Sequence, residues 1–236
     1  MKKALLTYAL LFTVSLMVSQ VNKQEKEALI DLYNSTKGDT WLNSWDLSEP
    51  VEDWYGITIK DNSITEINLL FNNLNGSLPA SLGQLKRLQK LELSFNKLSG
   101  NIPAELGQLV NLEILALNGT GLTGTIPAEL GNLHLLKQLH LSSNELSGTV
   151  PQSLTDLKKI EIFNVFDNNL TGILPKDLAH SPNLRELMAA KNSFTNPQDF
   201  SVILLSNSGA QINLFENSPI IEPSHSIIAV ERESED

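Results

Sequence analysis

Apolar residues recur along the middle of the chain with a period far longer than that of a helix or a strand. Isoleucine or leucine stands at Ile64, Leu88, Leu112, Leu136, Ile160 and Leu184, in steps of 24 residues. Three and five positions after each start come further apolar residues: Ile67/Leu69, Leu91/Leu93, Leu115/Leu117, Leu139/Leu141, Phe163/Val165 and Leu187/Ala189. That alternation predicts a short strand with these side chains inward and the intervening ones outward. Offset eight holds Asn72, Asn96, Thr120, Asn144, Asn168 and Asn192. Glycine follows at offset twelve from Gly76 to Gly172, and proline at offset fifteen from Pro79 to Pro175. Six copies of the unit, LxxLxLxxNxLxGxIPxxLxxLxx in the first five and without its GxIP element in the sixth (Asn196 and Asp199 instead), are an internal repeat, and a repeat of this length predicts a solenoid.

Each position has a physical task. Neighbouring coils pair their short strands into a parallel sheet, about 4.8 Å apart. The asparagine turns inward where the strand ends, and its amide can both donate to and accept from backbone groups in the bend. Asn72, Asn96, Asn144, Asn168 and Asn192 are thus expected to stack as an amide ladder, interrupted at Thr120 and resumed at Asn217 in a degenerate seventh coil. Glycine allows the bend and proline fixes the start of the return segment. No coil can bury its leucines alone, so stability comes from stacking. The expected fold is an α/β repeat solenoid. It is a right-handed coil or horseshoe with a parallel β-sheet on the concave face and short 3₁₀ or irregular segments on the convex face.

The ends divide the remainder. Lys2 and Lys3 precede an apolar run, so residues 1–19 read as a secretory signal peptide. Residues 20–63 read as an N-terminal cap: a helical apolar spacing at Ala28, Leu29, Leu32 and Tyr33, then Trp41, Trp45 and Trp54. The three tryptophans are expected to cover the first coil rather than to form a binding site. Residues 64–207 are the six repeats, 208–222 the degenerate seventh coil that closes the far end, and 223–236 an acidic tail.

The GxIP element resembles the plant-specific class of leucine-rich repeats. That class is found in plant receptor-kinase ectodomains and polygalacturonase-inhibiting proteins, and in similar secreted proteins of bacteria and protists. The resemblance covers roughly residues 25–220. The cap sequence Trp54-Tyr55-Gly56-Ile57-Thr58-Ile59 is similar to the family's W-x-G-V-x-C element, with Ile59 where a disulfide-forming cysteine is usual. The resemblance implies protein or glycan binding and carries over no ligand residue.

Composition narrows the function. There are 42 Leu and 23 Asn, which the repeat accounts for, and no cysteine, so disulfides, thiolate metal sites and a Cys nucleophile are excluded. The net charge of −10, or −12 once Lys2 and Lys3 are removed, argues against nucleic acid. No motif for a cofactor or metal occurs.

The outward strand positions line the concave face at offsets two, four, six and seven. Phe71 and Phe95 should be neighbours, with Leu70 beside them. Ile162, Phe166 and Met188 form a second apolar group. Between them lies a polar saddle of Asn118, Gln138, His140 and Ser142, flanked by Asn164 and Asp167. These are the candidate ligand-binding residues, because exposed aromatics that serve no core are candidates for contact. Glu66 and Lys90 are expected to form a surface ion pair. Catalysis has little support: His140 beside Ser142 lacks an orienting acid and an oxyanion hole.

The expected protein is therefore an exported, non-enzymatic, monomeric recognition protein without cofactor. Its expected partner is a protein, a peptide or a polysaccharide, with no membrane insertion after processing. The alternatives are a structural, envelope or ice-contacting surface protein and, remotely, a hydrolase. An ice surface calls for a uniform row of Thr or Asn, and the mixed concave column Phe71, Phe95, Gly119, Ser143 does not supply one.

Overall fold

The computed structural model describes residues 21–178 and 180–196. The signal segment, the seventh coil with Asn217 and the acidic tail lie outside the described residues.

The repeat period becomes sheet register. Strands Ser63–Asn68, Lys90–Glu92, Ile114–Ala116, Gln138–His140, Ile162–Asn164 and Glu186–Met188 pair in parallel in chain order. Each residue faces the one 24 positions on, as Ile67 faces Leu91 and Leu91 faces Leu115. The apolar offsets converge on one continuous core, in which Ile67, Leu69, Leu91, Leu93, Leu115, Leu117, Leu139, Leu141 and Phe163 are all fully buried. An extra strand, Ile57–Lys60, pairs antiparallel with Ser63–Asn68 and ends the sheet. The turn between them places Asp61 and Asn62 at φ 47° and 64°, the left-handed pair that a tight hairpin uses.

On the convex side each proline enters a short 3₁₀ turn: Ala80–Gln84, Ala104–Gln108, Ala128–Asn132 and Gln152–Asp156 follow Pro79, Pro103, Pro127 and Pro151. Those turns pack backbone to backbone. A Cβ on Gly83, Gly107 or Gly131 would lie 2.4, 2.3 or 2.5 Å from the carbonyl oxygen of Glu105, Glu129 or Ser153 in the next coil.

A second parallel ladder, which the apolar pattern does not announce, runs along the side of the solenoid. It consists of Asn75–Ser77, Lys97–Asn101 and Leu122–Thr123, then Ser147–Gly148, Asn169–Gly172 and Ser193–Phe194. The two groups are joined by Glu145 N–H to Leu122 O (2.9 Å) and Ser147 N–H to Gly124 O (2.7 Å).

The offset-eight amides bridge consecutive coils. Asn96 Nδ2 donates to Leu69 O and Leu93 O, both at 2.8 Å, while its Oδ1 accepts from Asn72 N and Leu74 N at 2.9 and 3.0 Å. Asn144, Asn168 and Asn192 repeat the donation to the preceding coil at Leu117 O, Leu141 O and Val165 O. Asn72 binds the cap instead, through the backbone of Asn43. Thr120 reaches only Leu117 O of its own coil, at 3.4 Å, and Asn144 Oδ1 of the next.

The cap is a helix, Lys23–Ser35, started by Asn22, whose side chain accepts from the N–H of Gln24 and Glu25. Behind it Trp41 packs edge-on against Trp45 at 4.8 Å, and Trp45 stacks on Trp54 at 4.8 Å. The three rings are 3–5% exposed, and each indole N–H donates to a backbone carbonyl, of Thr36, Tyr55 and Asp46 respectively. Satisfied, buried indoles are packing material rather than a binding surface. The buried Glu25 carboxylate accepts from Ile64 N–H at 3.0 Å and so ties the helix to the first repeat strand.

Candidate functional site

The concave face is a grid whose rows are set by the register. One row runs Glu66, Lys90, Ile114, Gln138, Ile162, Glu186, and the next runs Asn68, Glu92, Ala116, His140, Asn164, Met188. Offsets six and seven lie beyond the three-residue strands. There the structure departs from the sequence reading, which treated offset seven as a strand position. Phe71, Phe95, Gly119, Ser143, Asp167 and Lys191 all adopt the left-handed region, with φ between 52° and 59°. The chain turns at this residue to bring the amide at offset eight inward.

The first aromatic group is assembled as a contiguous surface. The rings of Phe71 and Phe95 stack with centroids 4.6 Å apart and an interplanar angle of 7°. They are 60% and 48% exposed, with Leu70 beside them at 41%. Gly119 continues the row, and a Cβ there would come within 2.7 Å of Phe95 Cδ1. The absence of a side chain at Gly119 is thus what lets the Phe95 ring lie down. Its role was legible only as an interruption of the Phe71–Phe95 column.

The second group is looser. Ile162 faces Glu186, and Met188 faces Asn164 in the neighbouring row, so these two are diagonal rather than adjacent. Phe166 is half-buried, and its ring carries the Lys191 ammonium 5.4 Å from the centroid.

The polar saddle is hydrogen-bonded within itself. Asn118 Oδ1 accepts from both the N–H and the hydroxyl of Ser142 at 2.9 Å, and Asn118 N–H donates to Ser94 Oγ. His140 Nε2 lies 3.2 Å from Gln138 Oε1. Burial pushes the His140 pKa down, against the raising influence of Glu92 and Glu186 two strands away on either side. The Ser142 hydroxyl is engaged with Asn118 rather than with His140, so the pair is not arranged as nucleophile and base. Asn164 Oδ1 accepts from Phe166 N–H at 3.1 Å, bracing the strand exit.

The expected Glu66–Lys90 ion pair is not the one formed. Glu66 pairs with Lys60 at 3.6 Å, because the antiparallel cap strand brings that ammonium alongside. Beside the concave rows Lys137 binds Glu113 at 2.6 Å and Arg185 binds Glu161 at 3.6 Å. Among the described residues no cluster of three or more His, Asp or Glu side chains could hold a metal ion, and no helix is long and apolar enough to cross a membrane.

Known proteins can now be set beside this geometry. Leucine-rich repeat models match residues 87–109, 111–133 and 134–194. No curated protein matches the sequence significantly. A chain of the BIR3–SERK2 complex from Arabidopsis thaliana is 30% identical, with 71% of this chain and 90% of that one covered and a TM-score of 0.58. The ectodomain of the Arabidopsis receptor kinase HAESA, in complex with an IDA peptide hormone ligand, is 29% identical over 73% of this chain and 29% of that one, with a TM-score of 0.65. A plant ice-binding protein is 25% identical over 74% of this chain and 73% of that one, with a TM-score of 0.53. Against the long receptor ectodomains the chain spans only 21–29% of their length. The repeat models, the coil geometry and the 30% identity to a solved ectodomain agree, and the chain belongs to the leucine-rich repeat family.

Proposed function

We propose that this chain is an exported, non-enzymatic recognition module that binds an extended peptide or protein segment across its concave face, with Phe71 and Phe95 as the anchor. The observation that carries this reading is the exposed, parallel Phe71–Phe95 stack. A left-handed turn suits glycine, as at Gly119, and costs a bulky residue about 1–2 kcal/mol. Two phenylalanines held there, both largely in water, bring little to the core in return. A partner that covers the rings supplies the missing gain, as aromatic anchors do at interfaces.

From the anchor the grid continues through Asn118, Gln138, His140 and Ser142 to Ile162, Asn164, Phe166, Asp167 and Met188, a polar stretch followed by a second apolar contact. Peptide or protein ligands are favoured over a polysaccharide by the HAESA complex with its peptide and by the BIR3–SERK2 assembly, which share the fold. Export rests on Lys2, Lys3 and the apolar run after them. The module is proposed to act as a monomer.

The test compares wild type with Phe71→Ala/Phe95→Ala and with Phe95→Gly in quantitative capture of binding partners from the native surroundings. Truncating an anchor costs about 2 kcal/mol, so the affinity for the captured partner should fall about thirtyfold. Phe95→Gly removes strain and stacking together, so its urea midpoint should stay near that of wild type. Undiminished capture by the double variant overturns the reading.

A further inference from the structure

The Phe71–Phe95 stack has one closed end and one open end. Its two rings are nearly parallel, so each has one face on the other. Beyond Phe95 lies Gly119, where a Cβ would stand 2.7 and 2.9 Å from Phe95 Cδ1 and Cε1, so the backbone of the next coil closes that end. The order along the solenoid is therefore Phe71, Phe95, Gly119, and the remaining face of Phe71 looks toward the cap.

The cap brings Leu42 to that end. Leu42 N–H donates to Asn72 O at 3.0 Å, Asn43 N–H to Asn72 Oδ1 at 2.7 Å, and Asn73 Nδ2 to Thr40 O at 2.8 Å. These bonds clamp residues 40–43 against the bend that begins at Phe71, whose φ is 52°. Yet Leu42 is 72% exposed and Phe71 60%, so neither side chain covers the other. Leu42 is the most exposed large apolar side chain among the described residues, in a cap whose three tryptophans are all buried. It adds little to the core that those rings form.

We infer that the open end of the stack is a slot for an aromatic side chain of the ligand, held between the face of Phe71 and the side chain of Leu42. This rests on the peptide-binding reading above and names what the peptide must carry. An incoming ring extends the stack by one member and takes both side chains out of water, and aromatic pairs gain more than their buried area alone. The occupant is uncharged: residues 40–45 and 69–77, the two segments that meet here, contain no acidic or basic residue. A ligand cation would leave water with no carboxylate in either segment to receive it. A sugar ring also offers a flat face, but its hydroxyls would find the flanking amides taken. Asn73 Nδ2 is bonded to Thr40 O, and Asn43 Nδ2 to Asn72 Oδ1 at 3.3 Å.

The test selects a random peptide library displayed on phage against the immobilised full chain. Binders that Phe71→Ala/Phe95→Ala also retains are discarded, since they ignore the anchor. The remaining peptides should carry a Phe, Tyr or Trp, and replacing it by Leu should weaken binding about fivefold or more. In Leu42→Ala and in Phe71→Leu that ratio should shrink toward one, a readout that a general loss of folded protein does not move. Leu42→Ala alters an exposed side chain, so its urea midpoint should match that of wild type. The slot is overturned, with the concave anchor intact, if anchor-dependent peptides lack an aromatic residue or bind as well with Leu in its place. It is equally overturned if either variant keeps the full ratio, or if a soluble cello-oligosaccharide binds through Phe71 where no peptide does. Should no peptide depend on the anchor at all, the concave reading falls and the slot falls with it.

Discussion

The single break in the amide ladder offers a direct measure of what the ladder contributes. At Asn96, five backbone groups are bonded by one side chain: Leu69 O, Leu93 O, Ser94 O, Asn72 N and Leu74 N. One coil later, Thr120 makes no bond to the coil before it, so Leu93 O and Leu98 N go without the bonds an amide at that position would bring. Thr120→Asn should restore both. A net hydrogen bond contributes about 1 kcal/mol, and the site is half-exposed, so the expected gain is about 1–2 kcal/mol. With a urea m-value of about 2–3 kcal/mol/M, the midpoint should rise by about 0.5 M. The mirror change, Asn96→Thr, acts at a residue only 6% exposed and leaves the Asn72 and Leu74 N–H groups unpaired. Buried orphan donors cost about 1–3 kcal/mol each, so the loss should be about 2–4 kcal/mol. Urea unfolding followed by tryptophan fluorescence measures both, and an unchanged m keeps the comparison within one cooperative unit. A Thr120→Asn variant that folds but is no more stable, together with an Asn96→Thr variant that loses nothing, would refute the idea that the amides hold the coils together.

Two further outcomes are expected. Gly131→Ala places a Cβ 2.5 Å from Ser153 O, where the obstacle is backbone and cannot swing away, so stability should fall by about 1–3 kcal/mol in the same urea assay. His140 has its pKa lowered by burial, with Glu92 and Glu186 opposing. The unfolded chain therefore binds the proton more readily than the folded one. This contribution is intact above the ordinary histidine range and is lost as pH falls through that range toward the lowered value. Unfolding free energies measured across that interval should slope downward toward acid, and His140→Gln should flatten the slope.

The fold was legible because a leucine every 24 residues has one physical solution, and the buried positions are the ones the apolar offsets named, from Ile64 to Leu187. The lateral ladder was not, because its strands are two to five residues rich in Ser, Thr, Asn and Gly, each with at most one apolar residue (Leu98, Leu122, Leu170 or Phe194) and so no apolar alternation to mark them. Phe71 and Phe95 were visible as neighbours from their spacing. Their left-handed backbone was not, since phenylalanine is a poor signal for that region. The Glu66 partner was misread for a different reason. The hairpin through Asp61 and Asn62 carries Lys60 to it from outside the repeat, where the period gives no register.

The close approach at Gly83, Gly107 and Gly131 bears on shape as well as stability. Spacing on the concave side is fixed by strand hydrogen bonds, at about 4.8 Å. Spacing on the convex side is set by what fits between consecutive 3₁₀ turns. Bare glycine draws those turns together through three coils, and Thr155 then occupies the same place in the fourth. The ratio of the two spacings is the curvature of the solenoid, so the radius of the groove is tuned by a residue on its opposite side. A lineage could flatten or tighten the arc presented to a ligand by exchanging glycine for a larger residue there, leaving every residue that touches the ligand as it is.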